Sequence, residues 1–509
     1  MLLSDLLNNL RVKKIFQTRY GKSIPFHDIQ INKVEYDSRN VTHGDLFVAI
    51  RGNVVDGHKY IPDALAKGAL VVILEDDTLY PDYYFMHNDV AKIVVENSRQ
   101  ALAVVAASYY RYPAKKLQMI GVTGTNGKTT TTYILKSIIE NYAKSQNIGG
   151  KVGLIGTIAN LINDKQIPSS LTTPESLELQ KLLADFYDEG AKWVIMEVSS
   201  HSLVQQRVYG IDFRYAIFTN LTPEHLDYHG DMENYFQAKK ILFDNLVSSA
   251  YAVSNFDDIY GKRILADTKA TKFFYGLNEG ADIFASDIQM SFENLKFKLH
   301  YGKDIIEIET PLVGKFNVYN CLAAVSVALL LGIDFDIIIK SLKTIKLVNG
   351  RFETLRYPNA PIIIIDYAHT PDALEKCLNT VKDIITAGKN YGRIITVFGA
   401  GGDRDKTKRP IMGKVVSQIS DLAVVTSDNP RTEDPKKIID DILSGISNTQ
   451  NIFIEVDRKK AIEKALEIAQ NNDVILIAGK GHEEYQIIGQ EKIKFSDREV
   501  VASLIGKNK

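Results

Sequence analysis

Short apolar runs that empty into polar loops recur along the whole chain. DLFVAI and ALVVILE stand in the first part, LQMI, KWVIMEV and YAIFTN in the middle, and PIIIID, IITVFG, LAVVTS and VILIAG toward the end. Runs this short and this apolar read as strands buried in a sheet. Between them the spacing becomes helical. Tyr133, Ile134, Ile138 and Tyr142 share one face, Phe236, Ile241 and Phe243 punctuate residues 233–246, and helices are predicted over about residues 61–67, DALEKCLNTVKDII and DRKKAIEKALEIAQ. NSRQALAVVAASYYRYPAKK predicts a helix ending at Pro113 with a basic linker behind it, and MLLSDLLNNLRVKK predicts an amphipathic N-terminal helix. The alternation places the chain in the α/β class, with boundaries at 1–114, 115–348 and 349–509. In the last segment, strands and helices take turns as in a doubly wound sheet.

Composition changes this picture little. The 509 residues suggest about three domains, and 45% hydrophobic against 24% charged residues suffices for ordinary cores. A net charge of −1 gives no field that draws the protein to nucleic acid or an anionic membrane. Cys321 and Cys377 show no metal-ligand spacing and read as core residues in a reducing compartment. No stretch approaches the roughly 18 apolar residues of a membrane span. A soluble, cytoplasmic protein is expected.

The chemistry concentrates after LQMI, in GVTGTNGKTTTT at residues 121–132. A strand, a glycine loop and a helix form the setting of a phosphate-binding loop. Gly121, Gly124 and Gly127 are expected to let the backbone turn, so that the N–H groups of the loop through Thr125, Asn126 and Thr130 face a polyphosphate. Lys128 would reach the outer phosphates and the Thr129 hydroxyl would bind Mg²⁺. The spacing is a variant, because Val122 stands where the strict pattern has glycine. ATP or GTP is implied.

Glu197 closes one strand and His225 follows another, both placed to approach the metal beside Thr129. Thr172 or Thr173 is a candidate N-cap in LTTPES. Lys239 and Lys240 read as solvated surface. Asn317 and Asn320, three apart, are expected to point their amides the same way toward a nucleotide. Asp37, Ser38 and Arg39 read as a turn. GAGGDRD misses the G-x-G-x-x-G register, which argues against a nicotinamide cofactor.

Together GVTGTNGKTT, EVSSHSL, NLTPEHLDYHGDMENYFQAKKILF, GRFE, DYAHTPDAL, GGDRDKTKRP, DNPRTEDP and GKGHE resemble the Mur ligases through all three segments. The resemblance implies an N-terminal UDP-sugar-binding domain, a central P-loop ATPase domain and a Rossmann-like C-terminal domain that binds an amino acid. It implies an ATP-dependent, ADP-producing amide ligase acting on UDP-N-acetylmuramoyl-L-Ala-D-Glu in peptidoglycan precursor synthesis. An acyl phosphate would form from the D-Glu carboxylate, with Mg²⁺ as cofactor and no nucleic-acid or membrane partner, in a monomer. The neighbouring alternatives are a lysine-adding ligase or a folylpolyglutamate-type ligase. A non-enzymatic nucleotide module would leave the polar loops of the last segment without a role.

By the same resemblance, Lys128, Lys239 and His225 are the catalytic candidates, and Thr129, Glu197, His225 and Lys239 (as a carbamate) the metal set. Asn317, Arg351 and Asp366 match nucleotide contacts, with His369 in the same motif. Ser38, Asn53, Val54, Val55, Thr172, Thr173, Ser199, Gln205 and Arg207 match contacts to the muramoyl-dipeptide nucleotide. Arg404, Asp428, Asn429, Pro430, Arg431, Gly479 and Glu483 match an amino-acid pocket. Arg431 can hold a distal carboxylate and repel a bare ammonium, so meso-diaminopimelate is expected over L-lysine.

Overall fold

The computed structural model describes residues 1–17, 29–52, 55–163, 165–169, 171–388 and 391–507. Three main sheets follow one another along the chain, as the alternating pattern requires. The first has five strands in the order Val12–Phe16, Ala91–Val95, Val71–Leu74, Leu46–Val48, Val34–Glu35, parallel except for its first member. Val71–Leu74 is buried along its whole length, which explains its uninterrupted apolar sequence.

The second sheet has eleven strands. At its centre Gln118–Thr123 lies between Ala191–Glu197 and Phe213–Phe218, all parallel, with Glu197 opposite Val122 and Phe218 opposite Thr123. That register makes three loops leave the sheet side by side at one edge, and these loops build the site. The Lys128–Ser145 and Lys315–Leu330 helices cover one face. Ile134 and Ile138 are fully buried there, each burial contributing about 1.5–3 kcal/mol. The Ser176–Asp188 and Met232–Asp244 helices cover the other face.

The third sheet runs Glu353–Leu355, Ile362–Asp366, Val474–Ala478, Ile394–Phe398, Leu422–Val425, Ile452–Ile454. Its last five strands are parallel, with apolar clusters on both faces, the doubly wound arrangement expected. Asp366 pairs with Ala478 and Phe398 with Val425, so four strand ends again open at one edge.

Several local expectations are corrected. The N-terminal helix is only Leu3–Leu7, and the basic residues after it begin a strand, Val12–Phe16. The Ser98–Tyr109 helix stops before Pro113, because Arg111 and Tyr112 turn to positive φ (59° and 53°) where helix geometry is disfavoured ahead of proline. The antiparallel extension Ile283–Met290, Leu295–Tyr301, Asp304–Thr310 and the Tyr485–Ile488/Glu491–Lys494 hairpin were not foreseen. Among the described residues no helix is long and apolar enough to cross a membrane.

Candidate active site

The phosphate loop opens a cavity of about 600 Å³ between the second and third sheets. Gly124 and Gly127 sit at φ 145° and 87°, and a Cβ on either would collide with Thr219 or Asn320. Gly121 does not turn. It lies inside the Gln118–Thr123 strand, where its missing side chain admits the Phe213 ring. Lys128 folds over the loop, donating to Gly124 O (2.9 Å) and Thr125 O (2.8 Å). Its pKa is lowered by burial, with Arg351 adding to the effect. Asn126 N donates to Asn220 Oδ1 at 3.0 Å, pinning the loop to the neighbouring strand end.

Thr129 and Glu197 are brought together: the hydroxyl donates to Glu197 Oε1 at 3.0 Å. Thr157, which sequence reasoning missed, donates its N–H to Oε1 and its hydroxyl to Oε2, both at 3.0 Å. Arg351 crosses from the third sheet's side and donates to Thr129 Oγ1 at 3.2 Å. This concentration of carboxylate and hydroxyl oxygens beside a phosphate loop has the donor chemistry that suits Mg²⁺. Among the described residues no group of three His, Cys, Asp or Glu side chains is placed to hold a metal.

The surface reading of Lys239 is wrong. It is 2% exposed and donates to Gly124 O at 3.0 Å, with its ammonium 4.5 Å from the Tyr235 ring centre. Burial, reinforced by Lys128, pushes its pKa well down. Lys240 is buried too, paired with Asp244 and Asp267. Around Tyr235 gather His225, His229 and, behind them, His201. His225 lines the cavity, half-exposed to it, while His229 is tied to Ser200 at 2.9 Å. All three histidines are held at about 4, first by burial. Glu224, also missed, meets His369 at 3.3 Å and His225 at 3.8 Å. Burial would raise its pKa, but the bond to His369 and the nearby positive charges pull it far below the carboxylate norm. Its position beside His225 in PEH was the available signal.

The asparagine pair does not present two parallel amides. Asn317 donates to Val313 O (2.7 Å), and Asn320 donates to Asn317 Oδ1 (2.8 Å), so only Asn320 reaches the cavity wall. Asp366 lines the cavity while accepting from Phe352 N (2.6 Å) and Ala368 N (2.7 Å), its pKa raised by burial against the pull of Arg351. Arg351 stacks on Tyr367, 4.6 Å from its ring centre.

Thr173 caps nothing. It donates to Glu197 O (2.8 Å) and accepts from Ser199 N (3.2 Å), while Thr172 bonds the Thr157 hydroxyl; the Ser176–Asp188 helix has no side-chain cap. Arg207 donates to Thr173 O (2.9 Å) and Gln205 Oε1 (2.6 Å) and pairs with Glu175. Thr172, Thr173, Ser199, Gln205 and Arg207 therefore form one network running back from Glu197. Ser38 lies outside it, buried in the first unit with its carbonyl bonded to Lys67. Val55 is half-exposed, and Asn53 and Val54 lie outside the described residues.

The remaining candidates form a second cluster at the open edge of the third sheet. Asn429 donates to Glu483 Oε2 at 2.9 Å, Asp428 lies against Gly479 where a Cβ would strike its carboxylate, and Pro430 is buried. Arg431 is held with φ +52°, its N–H on Ile487 O, its carbonyl on Gly489 N and its guanidinium on Gly402 O (2.6 Å). It is thus built into the loop rather than left as a surface residue at a helix start. Arg404 is exposed and flanks Gly401 with Arg431. Two fully buried cations behind this cluster, Lys480 and Arg458, were not singled out from the sequence.

Known families match almost end to end. The model described as Mur ligase family, catalytic domain, matches residues 30–110, Mur ligase middle domain matches 122–328, and Mur ligase, glutamate ligase domain, matches 350–481. A Clostridium botulinum protein named UDP-N-acetylmuramoyl-L-alanyl-D-glutamate–2,6-diaminopimelate ligase is 48% identical over 94% of this chain and 95% of its own length. A protein of the same name from Alkaliphilus oremlandii is 43% identical, spanning 100% of this chain and 99% of its own. A solved structure with that title has a TM-score of 0.66 at 32% identity, covering 96% of this chain and 98% of that one. The MurF ligase of Thermotoga maritima, solved with ADP, has a TM-score of 0.62 at 21% identity over 94% and 98%, a likeness of fold. With this architecture and these relatives, the chain belongs to the Mur ligase family.

Proposed function

We propose that the protein uses ATP to join meso-diaminopimelate to UDP-N-acetylmuramoyl-L-Ala-D-Glu. The observation that carries the reading is the meeting of the phosphate loop with Arg351 of the third unit across the Thr129–Glu197 pair. The names of the relatives at 43–48% identity support the same substrates. The boundaries 1–114, 115–348 and 349–509 give each proposed domain one main sheet, and the use of ATP supports reading it as a cytoplasmic protein.

The difficulty of the reaction is charge. A D-Glu carboxylate must attack the γ-phosphorus of ATP, forming an acyl phosphate as ADP leaves; the acceptor amine then attacks the acyl carbon and phosphate departs. Lys128 and Arg351 lower the repulsion between carboxylate and triphosphate, and such positioned electrostatics is most of phosphoryl-transfer catalysis. Mg²⁺, when bound by Thr129, Glu197 and their neighbours, would supply further positive charge to the phosphates. Burial and Lys128 keep Lys239 toward its neutral amine, the form that adds to carbon dioxide with loss of a proton. The resulting carbamate would turn a lysine–lysine repulsion into an attraction and supply a further oxygen ligand. The Thr173–Ser199–Arg207 network orients the muramoyl-dipeptide beside Glu197, and the Arg431 cluster orients the acceptor.

Phosphate release from ATP and Mg²⁺ with the UDP-muramoyl-dipeptide tests this, comparing meso-diaminopimelate with L-lysine. Strong preference for diaminopimelate is expected. Preference for lysine would remove the acceptor assignment, and silence with both would remove the ligase.

A further inference from the structure

Lys480 lies in the turn after Val474–Ala478 and is 0% exposed. Its ammonium donates to Glu483 Oε2 at 3.0 Å and to Asn429 Oδ1 at 3.2 Å. Asn429 Oδ1 also accepts from Ile487 N (3.0 Å), and Asn429 Nδ2 donates to the same Glu483 oxygen (2.9 Å). One buried cation thus ties two loops and the hairpin into a triangle and fixes which way the Asn429 amide faces. A buried ammonium beside a carboxylate also cancels that carboxylate's field locally. Glu483 is therefore not a bare anion at the pocket.

We propose that Lys480 is a specificity-determining residue of the acceptor pocket, neutralising Glu483 so that the pocket prefers an amino acid carrying a second carboxylate over one ending in a bare ammonium. This rests on the acceptor reading above. Diaminopimelate is net neutral and lysine carries one net positive charge, so an uncompensated Glu483 would favour lysine. Arg431 and Arg404 flank Gly401 at the same cluster, and Asp428 lies 4.0 Å from Arg458, so with Lys480 in place neither Asp428 nor Glu483 stands without a cation.

The test is the ratio of kcat/KM for meso-diaminopimelate to that for L-lysine. Lys480→Met, close in volume and uncharged, is expected to lower the ratio about tenfold or more while leaving KM for ATP unchanged. Glu483→Gln, which leaves the lysine uncompensated, is expected to raise the ratio, and the double variant to return it toward wild type. If Lys480→Met does not fold, Glu483→Gln and Lys480→Arg, with the ratio retained in the latter, carry the test. Equal losses for both amino acids, or a parallel rise in KM for ATP, would reduce Lys480 to a structural residue and overturn the proposal. The change in ratio is defined whichever amino acid the wild type prefers, so a lysine-preferring wild type would sink the acceptor reading separately.

Discussion

Lys239 shows how far a residue's surroundings outrun its sequence. In ENYFQAKKILFDNL it is one of two lysines on an amphipathic helix, which pattern reasoning leaves in solvent. The fold inserts it between Tyr235 and the phosphate-loop carbonyl of Gly124. Tyr235 lies four positions before it but the Gly124 carbonyl lies 115 away, so no local period carries the burial, and only the family resemblance pointed to the residue. Lys239→Ala should lower turnover by about 10²–10³-fold, the scale of a lost electrostatic contact at a reacting centre. Partial recovery with added short-chain carboxylates is expected; wild-type activity in the variant would exclude the carbamate. The histidines make a different demand. His201 and His229 titrate at about 4 in the fold, against an ordinary 6.5. Between those values the unfolded chain takes up protons that the native state refuses, so stability is full above about pH 6.5 and falls toward pH 4. Urea midpoints measured from about pH 7 to about pH 4.5 should decline, and less steeply in His229→Phe; identical slopes would discard this origin.

At the scale of elements, strand ends and several helix spans were legible, while the cap assigned to Thr173 was not. A buried strand announces itself by an uninterrupted apolar run, and the loop after it by an abrupt change to polar residues. Hence Glu197, Asp366 and Asp428 were located correctly relative to their strands. Caps depend on which acceptor a hydroxyl meets, and Thr173 met a carbonyl across the sheet instead of its own helix. The antiparallel strands after residue 282 went unread because their polar alternation, such as the exposed Lys296 between buried Leu295 and Phe297, lacks the apolar density of the parallel core. The helix that carries Lys239 has a legible start: Asp231 accepts from Asn234 N at 2.7 Å. Asp231→Ala should cost about 1 kcal/mol in urea denaturation. Because the helix also packs through Tyr235 and Phe243, folding should survive, and an unchanged unfolding free energy would show the cap to be idle.

Across the whole molecule, function depends on contacts between units that no single segment displays. Asp372, in the first turn of the Pro371–Ala387 helix, accepts from Asn126 Nδ2 (3.0 Å) in the phosphate loop and from Thr222 Oγ1 (3.3 Å). Glu224 and His369 add a second bridge. Asp372→Ala should raise KM for ATP about tenfold or more, since a hydrogen bond to a charged group is worth about 1.5–3 kcal/mol. Small-angle scattering should record a larger radius of gyration; an unaltered radius and KM would show the bridge to be incidental.

Arg431 occupies a backbone region that glycine enters freely and arginine enters at about 1–2 kcal/mol. Its N–H and carbonyl are both held by the hairpin through backbone bonds that do not involve the side chain. Arg431→Gly should therefore raise the melting temperature while erasing the discrimination between acceptors, and a lower melting temperature would contradict the strain. With Arg431 discriminating between acceptors as proposed, sturdiness and fidelity would pull this one position in opposite directions. A lineage selected for heat resistance alone would drift toward glycine here and begin to miswrite the peptide it builds.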